Sequence, residues 1–307
     1  MVHADVGAGA GAAPSFTEDH LRPVVGRAAD RVGVAHPAVE LIRIGSNAVF
    51  RLGRDVVARV APSSRLLGNA RRQIAVARWL AEVDYPATRA LAVDQPVEID
   101  GVVVTFWESI SRGEVYAPLA DVGRLIRRLH ELSRPEGLDL PALAPFGHIG
   151  DPLPPFEGLD EIDAAYLRSR IEWSREAFSD MPFALPAGHI HGDANVGNVI
   201  CDDLGAPVLI DLDSFATGAR EWDLIQTALF YDRLGWHDGS EYRDFVDSYG
   251  YDLMQWTGYA TLADMREIAM TSWIAKKAAT STGAAAEATK RVAAIRTGGS
   301  RRDWGAY

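Results

Sequence analysis

The stretch His191-Gly192-Asp193-Ala194-Asn195-Val196-Gly197-Asn198 decides the reading of this 307-residue chain. Val199-Ile200-Cys201 follows, then a turn at Asp202-Asp203-Leu204-Gly205, then Val208-Leu209-Ile210-Asp211-Leu212-Asp213. The pattern predicts a short loop, a strand, a hairpin turn and a second strand ending in carboxylates. Three oxygen-bearing side chains stand out: Asp193, Asn198 and, across the hairpin, Asp211. Phosphoryl transfer needs such a set. One carboxylate receives or orients the acceptor hydroxyl, while an amide and a second carboxylate hold Mg2+ against the phosphates. Magnesium prefers hard oxygen ligands and keeps waters, so two protein ligands suffice.

The spacing resembles the protein-kinase catalytic loop, His-Arg-Asp-x-x-x-x-Asn, followed by Asp-Phe-Gly. Gly192 replaces the Arg, and Asp211-Leu212-Asp213 replaces Asp-Phe-Gly. This variant resembles the aminoglycoside phosphotransferase family of small-molecule kinases. The likeness continues through Gly218-Ala219-Arg220-Glu221-Trp222-Asp223-Leu224, where that family carries Gly-x-x-x-x-Asp-Leu. The resemblance implies an α+β, two-lobed, protein-kinase-like fold. A small antiparallel-sheet N-lobe is expected over 17–109 and a mostly helical C-lobe over 110–297, with tails at 1–16 and 298–307. It implies ATP and Mg2+ as cofactors, Asp193 as base or orienter, and Asn198 and Asp211 as metal ligands. His191 and Asp223 would support the loop, Asp223 by accepting hydrogen bonds from its backbone. Asp213, Glu221 and Asp232 are candidates for a carboxylate behind the metal or for acceptor contact, and Asp213 reads equally as a solvated charge.

The first third of the chain reads as a helix from Thr17 to about Val32, burying Leu21, Val24, Val25 and Ala28, and then as strands. Val39–Ile44, Val49–Leu52 and Val56–Val60 are separated by turns at Gly45-Ser46-Asn47 and Gly53-Arg54-Asp55. In a kinase-like fold the first turn covers the nucleotide phosphates, which makes Ser46 and Asn47 candidate nucleotide contacts. Arg59 stands where the resemblance places a phosphate-pairing Lys. Val56, Ala58 and Val60 share one strand face, and Val57 and Arg59 share the other. A helix over about 66–83 carries Ala70, Gln73, Ala77 and Leu80 on one stripe. The family usually has Glu at the Gln73 position, so both departures fall on one expected contact. Strands are expected at Ala90–Val93 and Val102–Glu108. The end of the latter, Trp107-Glu108-Ser109-Ile110, resembles the hinge that binds adenine through its backbone, which adds Trp107 and Ile110 as nucleotide candidates.

Helices dominate from Pro118 onward. Leu119–Leu132 is amphipathic, with His130 near its end read as a cap or surface residue. A Pro- and Gly-rich connection covers 135–158, and a helix over 159–178 leads to the loop. Further helices are expected from Glu221 to about Tyr231, up to a stop at Gly250, through Met265–Ala278, and over Ala284–Ile295. Trp222, Tyr231, Trp236, Trp256 and Trp273 are read mostly as core, with one or two lining an acceptor site.

Composition narrows the function classes. Hydrophobic residues make up 48% of the chain, no apolar run approaches the ~18 residues of a membrane span, and the single Cys201 fits a reducing cytoplasm. The net charge of −11 is uneven: residues 1–110 hold 12 basic and 12 acidic side chains, which leaves 19 against 30 in 111–307. An acidic half argues against nucleic acid as a partner. The expected partner is a small-molecule hydroxyl acceptor carrying positive charge, such as an aminoglycoside-like antibiotic. A metabolite kinase acting on an amino alcohol or sugar is one rival reading, and a catalytically inactive nucleotide-binding scaffold is another.

Overall fold

Apolar alternation builds the first part of the chain into a five-stranded antiparallel sheet. A computed structural model describes residues 16–133 and 137–306. The tail expected at 1–16 lies outside these apart from Phe16, which packs against the first core. The chain divides into two units: residues up to Glu82 with Thr88–Arg112, and Val83–Ala87 with Gly113 onward.

In the first unit, α1 (Glu18–Arg31) precedes strands β1 (Val39–Ile44), β2 (Ala48–Leu52) and β3 (Val56–Ala61). Helix α2 (Leu67–Glu82) comes next, then β4 (Val97–Ile99) and β5 (Val102–Glu108). The sheet order is β1-β2-β3-β5-β4. One face of the sheet is apolar at Phe50, Leu52, Ala58, Val60, Val104 and Phe106, and it buries against Leu21, Val24, Val25 and Ala28 of α1. Period two on the strands and period 3.6 on the helix make these stripes meet. Thr17 starts α1, its carbonyl accepting from Leu21 N at 2.9 Å, but its side chain makes no cap bond.

The strand expected at Ala90–Val93 does not form. Only Ala90 makes a bridge, to Trp107, and the edge strand is β4 instead. The Gln95 side chain takes the ladder's place. Its amide donates to Leu91 O at 2.7 Å and Phe106 O at 3.1 Å, and accepts from Phe106 N at 2.7 Å. A side-chain amide can satisfy strand groups as a backbone amide does, so the segment stays irregular without leaving them unpaired.

The second unit contains α3 (Leu119–Glu131), α4 (Glu161–Ser179), β6 (Gly188–Ile190), β7 (Val199–Cys201), β8 (Pro207–Leu209) and β9 (Ala216–Gly218). It continues with α5 (Glu221–Leu229), α6 (Gly239–Tyr249), α7 (Tyr259–Ala275) and α8 (Thr282–Thr297). Residues 83–87 belong to this unit because Tyr85 is buried in it and donates to Leu125 O at 2.8 Å. Every residue of α5 is buried, as expected of a helix surrounded by others. Helix α3 approaches α6 closely at Gly123, where a Cβ would stand 2.7 Å from Phe245 O. Gly250 ends α6 in the left-handed conformation at φ +88°.

The segment expected to fray, 298–307, is anchored to the second unit at Arg301 and Trp304, with its other described residues exposed. Trp304 is 3% exposed and lies under the Arg291 guanidinium, 4.7 Å from the ring centroid. Arg291 also donates to Gly305 O at 2.7 Å, and Arg301 forks onto the buried Glu267 of α7 at 2.9 Å. Trp304→Ala is expected to cost about 3–5 kcal/mol, as truncation of a buried aromatic does. The check is the urea unfolding midpoint, and a shift worth under about 1 kcal/mol would show that the tail is not part of the core.

Candidate active site

Positions 191–198 are held by hydrogen bonds from within the second unit. Asp223, in the first turn of α5, is fully buried and accepts from His191 N and Gly192 N, both at 2.7 Å. Trp222 donates to Gly192 O at 3.0 Å. The His191 ring donates from Nε2 to Ile210 O at 2.8 Å and accepts from Asp193 N at Nδ1, 3.3 Å away. Gly192 has φ +83°, and a Cβ there would lie 2.2 Å from Ser214 O. Only glycine fits that approach, which accounts for its place in the loop.

The three residues singled out in the sequence share one framework. Asn198 donates from Nδ2 to Asp193 O at 2.8 Å and to Asp193 Oδ2 at 3.2 Å. The Asn198 carbonyl accepts from Ile210 N at 2.9 Å, which ties the loop to the residue before Asp211. Strands β7 and β8 pair across the hairpin, Val199 with Leu209, and set that register. Asp211 follows β8 at φ +60°, a left-handed conformation that Asp tolerates better than most residues. With Asn198 Nδ2 engaged by Asp193, its Oδ1 is the atom left for a cation. An amide oxygen and a carboxylate are a donor set that fits Mg2+ completed by water and phosphate. Among the described residues no group of three or more His, Cys, Asp or Glu could hold a metal alone.

Arg266 of α7 is the neighbour that sequence reasoning missed. It donates from Nη2 to Asp193 Oδ1 at 2.6 Å and also bonds Gln226 of α5. Nothing local marks it, because it lies 73 residues from Asp193. His130 is the second. It is neither cap nor surface residue: it is 2% exposed, with Nε2 at 3.0 Å from Asp223 Oδ2 and Nδ1 at 2.9 Å from Tyr249 OH. The amphipathic stripe of α3 carries it inward beside Leu129, and a buried imidazole needs such partners.

The remaining candidate carboxylates separate. Glu221 does not face an acceptor. It is buried, and its Oε1 accepts from Ala184 N at 2.6 Å and Leu185 N at 2.7 Å, clamping the segment before β6. Asp232 is exposed and accepts from Tyr259 OH at 2.8 Å. Asp213 lies half-buried in the 3-10 turn after Asp211. Of the aromatics, Trp222 and Trp256 are core, while Tyr231 stacks on Tyr242 and Trp236 packs on Phe230. Trp273 is exposed, with Lys277 over its ring.

The nucleotide candidates all lie in the first unit. Ser46, exposed, and Asn47, half-buried, form the β1–β2 turn, where Gly45 N donates to Asn47 O at 2.9 Å. Arg59 reaches Gln73 of α2, Nη1 to Oε1 at 3.3 Å, which is the contact its strand face and the helix stripe predict. Trp107 is buried within β5, and its indole donates to Thr105 Oγ1 at 2.8 Å. Ser109 N donates to Asp55 O at 2.8 Å, and Ile110 is half-buried just beyond. A neutral amide holds the guanidinium less firmly than a carboxylate would. Arg59→Lys combined with Gln73→Glu is therefore expected to lower the Michaelis constant for ATP by about 3–10-fold, the gain of one charge-assisted pair. Normal ATP kinetics in Arg59→Ala would show that the cation at 59 is irrelevant.

The model of the phosphotransferase enzyme family matches residues 39–266. No curated protein matches by sequence. Among solved structures, an amicoumacin kinase solved with AMP-PNP and Ca2+ is 13% identical and has a TM-score of 0.68, over 94% of this chain and 96% of that one. Spectinomycin phosphotransferase with ADP and spectinomycin is 13% identical with a TM-score of 0.61, over 88% and 93%. The choline kinase of Streptococcus pneumoniae is 14% identical with a TM-score of 0.58, over 90% and 99%. These likenesses establish the kinase-like α+β fold. With the family match spanning the sheet, the loop and α5, the chain belongs to the phosphotransferase enzyme family.

Proposed function

We propose that the chain transfers the γ-phosphoryl group of ATP to a hydroxyl of a cationic small molecule. The observation that carries this reading is the framework that joins the Asp193 carboxylate, the Asn198 amide and the residue preceding Asp211 by hydrogen bonds. The acceptor oxygen bonds to the γ-phosphorus as the bond to the β–γ bridging oxygen breaks, and ADP leaves. The hydroxyl proton passes to Asp193, which first orients the hydroxyl. Asn198 and Asp211 would hold Mg2+, which when bound would neutralise phosphate charge. The resemblance implies that Arg59 would contact nucleotide phosphate, as a guanidinium suits phosphate oxygens.

The charge split motivates a cationic acceptor, because one sign of charge around a site concentrates the other. Asp232 is the exposed carboxylate among the three candidates, whereas Glu221 is spent on backbone amides. Kanamycin, spectinomycin, amicoumacin and choline form the first acceptor panel, with Mg·ATP and mass spectrometry of the product. For a cationic acceptor drawn by this field, kcat/KM is expected to fall about 3–10-fold between low salt and ~0.3 M, since exposed attraction is screened over ~10 Å at 0.1 M. Turnover on neutral or anionic acceptors alone would sink the charge argument. Failure of every hydroxyl acceptor, with ATP still bound, would favour the inactive scaffold, a reading to which the Arg59–Gln73 contact gives its support.

A further inference from the structure

We infer that Arg266 is a positioning residue for Asp193, holding the carboxylate in its reacting orientation from a helix outside the signature motifs. The inference rests on the phosphotransfer reading above. Asp193 has a 42% exposed side chain and sits in a loop, so water would let it sample several rotamers. The structure restrains both of its oxygens. Arg266 Nη2 donates to Oδ1 at 2.6 Å, and Asn198 Nδ2 donates to Oδ2 at 3.2 Å. Asn198 belongs to the motif; Arg266 does not.

Arg266 is itself fixed. Its side chain is 9% exposed, it bonds Gln226, and its guanidinium stands 5.0 Å from the Trp222 ring centroid. Trp222 also donates to Gly192 O, so one indole touches both the loop and the cation that holds it. The next residue, Glu267, faces the other way. It accepts from Arg233 at 3.0 Å and Arg301 at 2.9 Å, which fixes the rotation of α7 and with it the aim of Arg266. A guanidinium this desolvated needs a carboxylate, and the one it has is the residue that reacts. The pair also sets charge beside the acceptor hydroxyl. Asp193 is neutralised by Arg266, so attraction for a cationic acceptor falls to other carboxylates.

A purely structural salt bridge would tie α7 to the loop and affect folding alone. Kinetics separate the two. Arg266→Gln, Arg266→Lys and Asp193→Asn, alone and combined, are assayed with Mg·ATP and whichever member of the acceptor panel the wild type phosphorylates. Affinity for AMP-PNP and the thermal midpoint are measured alongside. Arg266→Gln is expected to lower kcat about 100-fold, the cost of a misplaced reacting group, with AMP-PNP affinity within about twofold. Arg266→Lys keeps the charge without the fork and is expected to recover about a tenth of wild-type kcat. In the Asp193→Asn background, Arg266→Gln should add less than about threefold, because residues acting as a unit are not additive. Guanidinium at millimolar concentration should partly rescue Arg266→Ala.

A folded Arg266→Gln with more than half of wild-type kcat overturns the inference. So does an undiminished Arg266→Gln loss in the Asp193→Asn background. If Arg266→Gln does not fold, Arg266→Lys decides, and wild-type kcat in that variant counts against a positioning role. A wild type that binds AMP-PNP yet phosphorylates no member of the panel fails differently: it overturns the phosphotransfer reading itself, and the inference with it.

Discussion

Replacing Asp193 by Ala is expected to lower kcat by about 10³-fold or more while leaving AMP-PNP affinity within about twofold. General-base and orienting groups contribute roughly 10²–10⁴-fold. The upper part of that range applies here because Asp193 is held at both oxygens, by Arg266 and Asn198, and is not a freely rotating carboxylate. The substitution removes no atom assigned to the nucleotide or the metal, since those assignments fall on Asn198, Asp211 and the first unit. Its own backbone oxygen still accepts from Asn198 at 2.8 Å and from Asn195 at 3.0 Å, so the loop keeps its shape. The check is a comparison of single-turnover transfer with equilibrium AMP-PNP binding. A variant that retains a tenth of wild-type turnover on a true acceptor would remove Asp193 from the mechanism.

Asp223→Ala is the substitution expected to cost the most stability, about 3–5 kcal/mol, because it leaves several buried donors without an acceptor at roughly 1–3 kcal/mol each. Its carboxylate satisfies His191 N, Gly192 N and His130 Nε2, all inside the second unit. With Ala, each of these donors is left buried without an acceptor. Burial pushes the Asp223 carboxyl up, but the His130 hydrogen bond and charge, His191 and its backbone N–H outweigh it, and the group lies below the usual carboxylate range.

A folded-state value below the unfolded one means that the unfolded chain binds the proton first. The Asp223 contribution is present in full above about pH 4 and is lost as the pH falls through the folded value. Burial also lowers His189 and His237, which favours their neutral forms in the folded state. Their contribution is present above about pH 6.5 and is lost as the pH falls below it. Wild type and Asp223→Ala should therefore share the loss that begins near pH 6.5, and differ in the further loss below about pH 4. Chemical denaturation from pH 7 to pH 3 measures both limbs. Parallel curves below pH 4 would show that Asp223 is not held as a carboxylate.

The amino-acid order by itself determined the parts of this protein that depend on near neighbours. The spacing from His191 to Asn198, the hairpin to Asp211 and the run to Asp223 are contacts within about thirty residues. The Arg59–Gln73 contact was also legible, because strand alternation and helix periodicity place both residues on facing sides of adjacent elements. Tertiary structure alone decided which polar side chains have partners far along the chain. Arg266 was invisible because an arginine in a helix reads as a solvated charge until α5 and the loop close over it. His130 was misread for the same reason: amphipathic spacing gives the face, and only Asp223 and Tyr249 make that face habitable for an imidazole. Glu221 looked like an acceptor carboxylate until the backbone of Ala184 and Leu185 took it, and Trp304 looked like tail until Arg291 covered it. A buried polar group is stable only with its partners, and those partners come from elements that local sequence does not bring together.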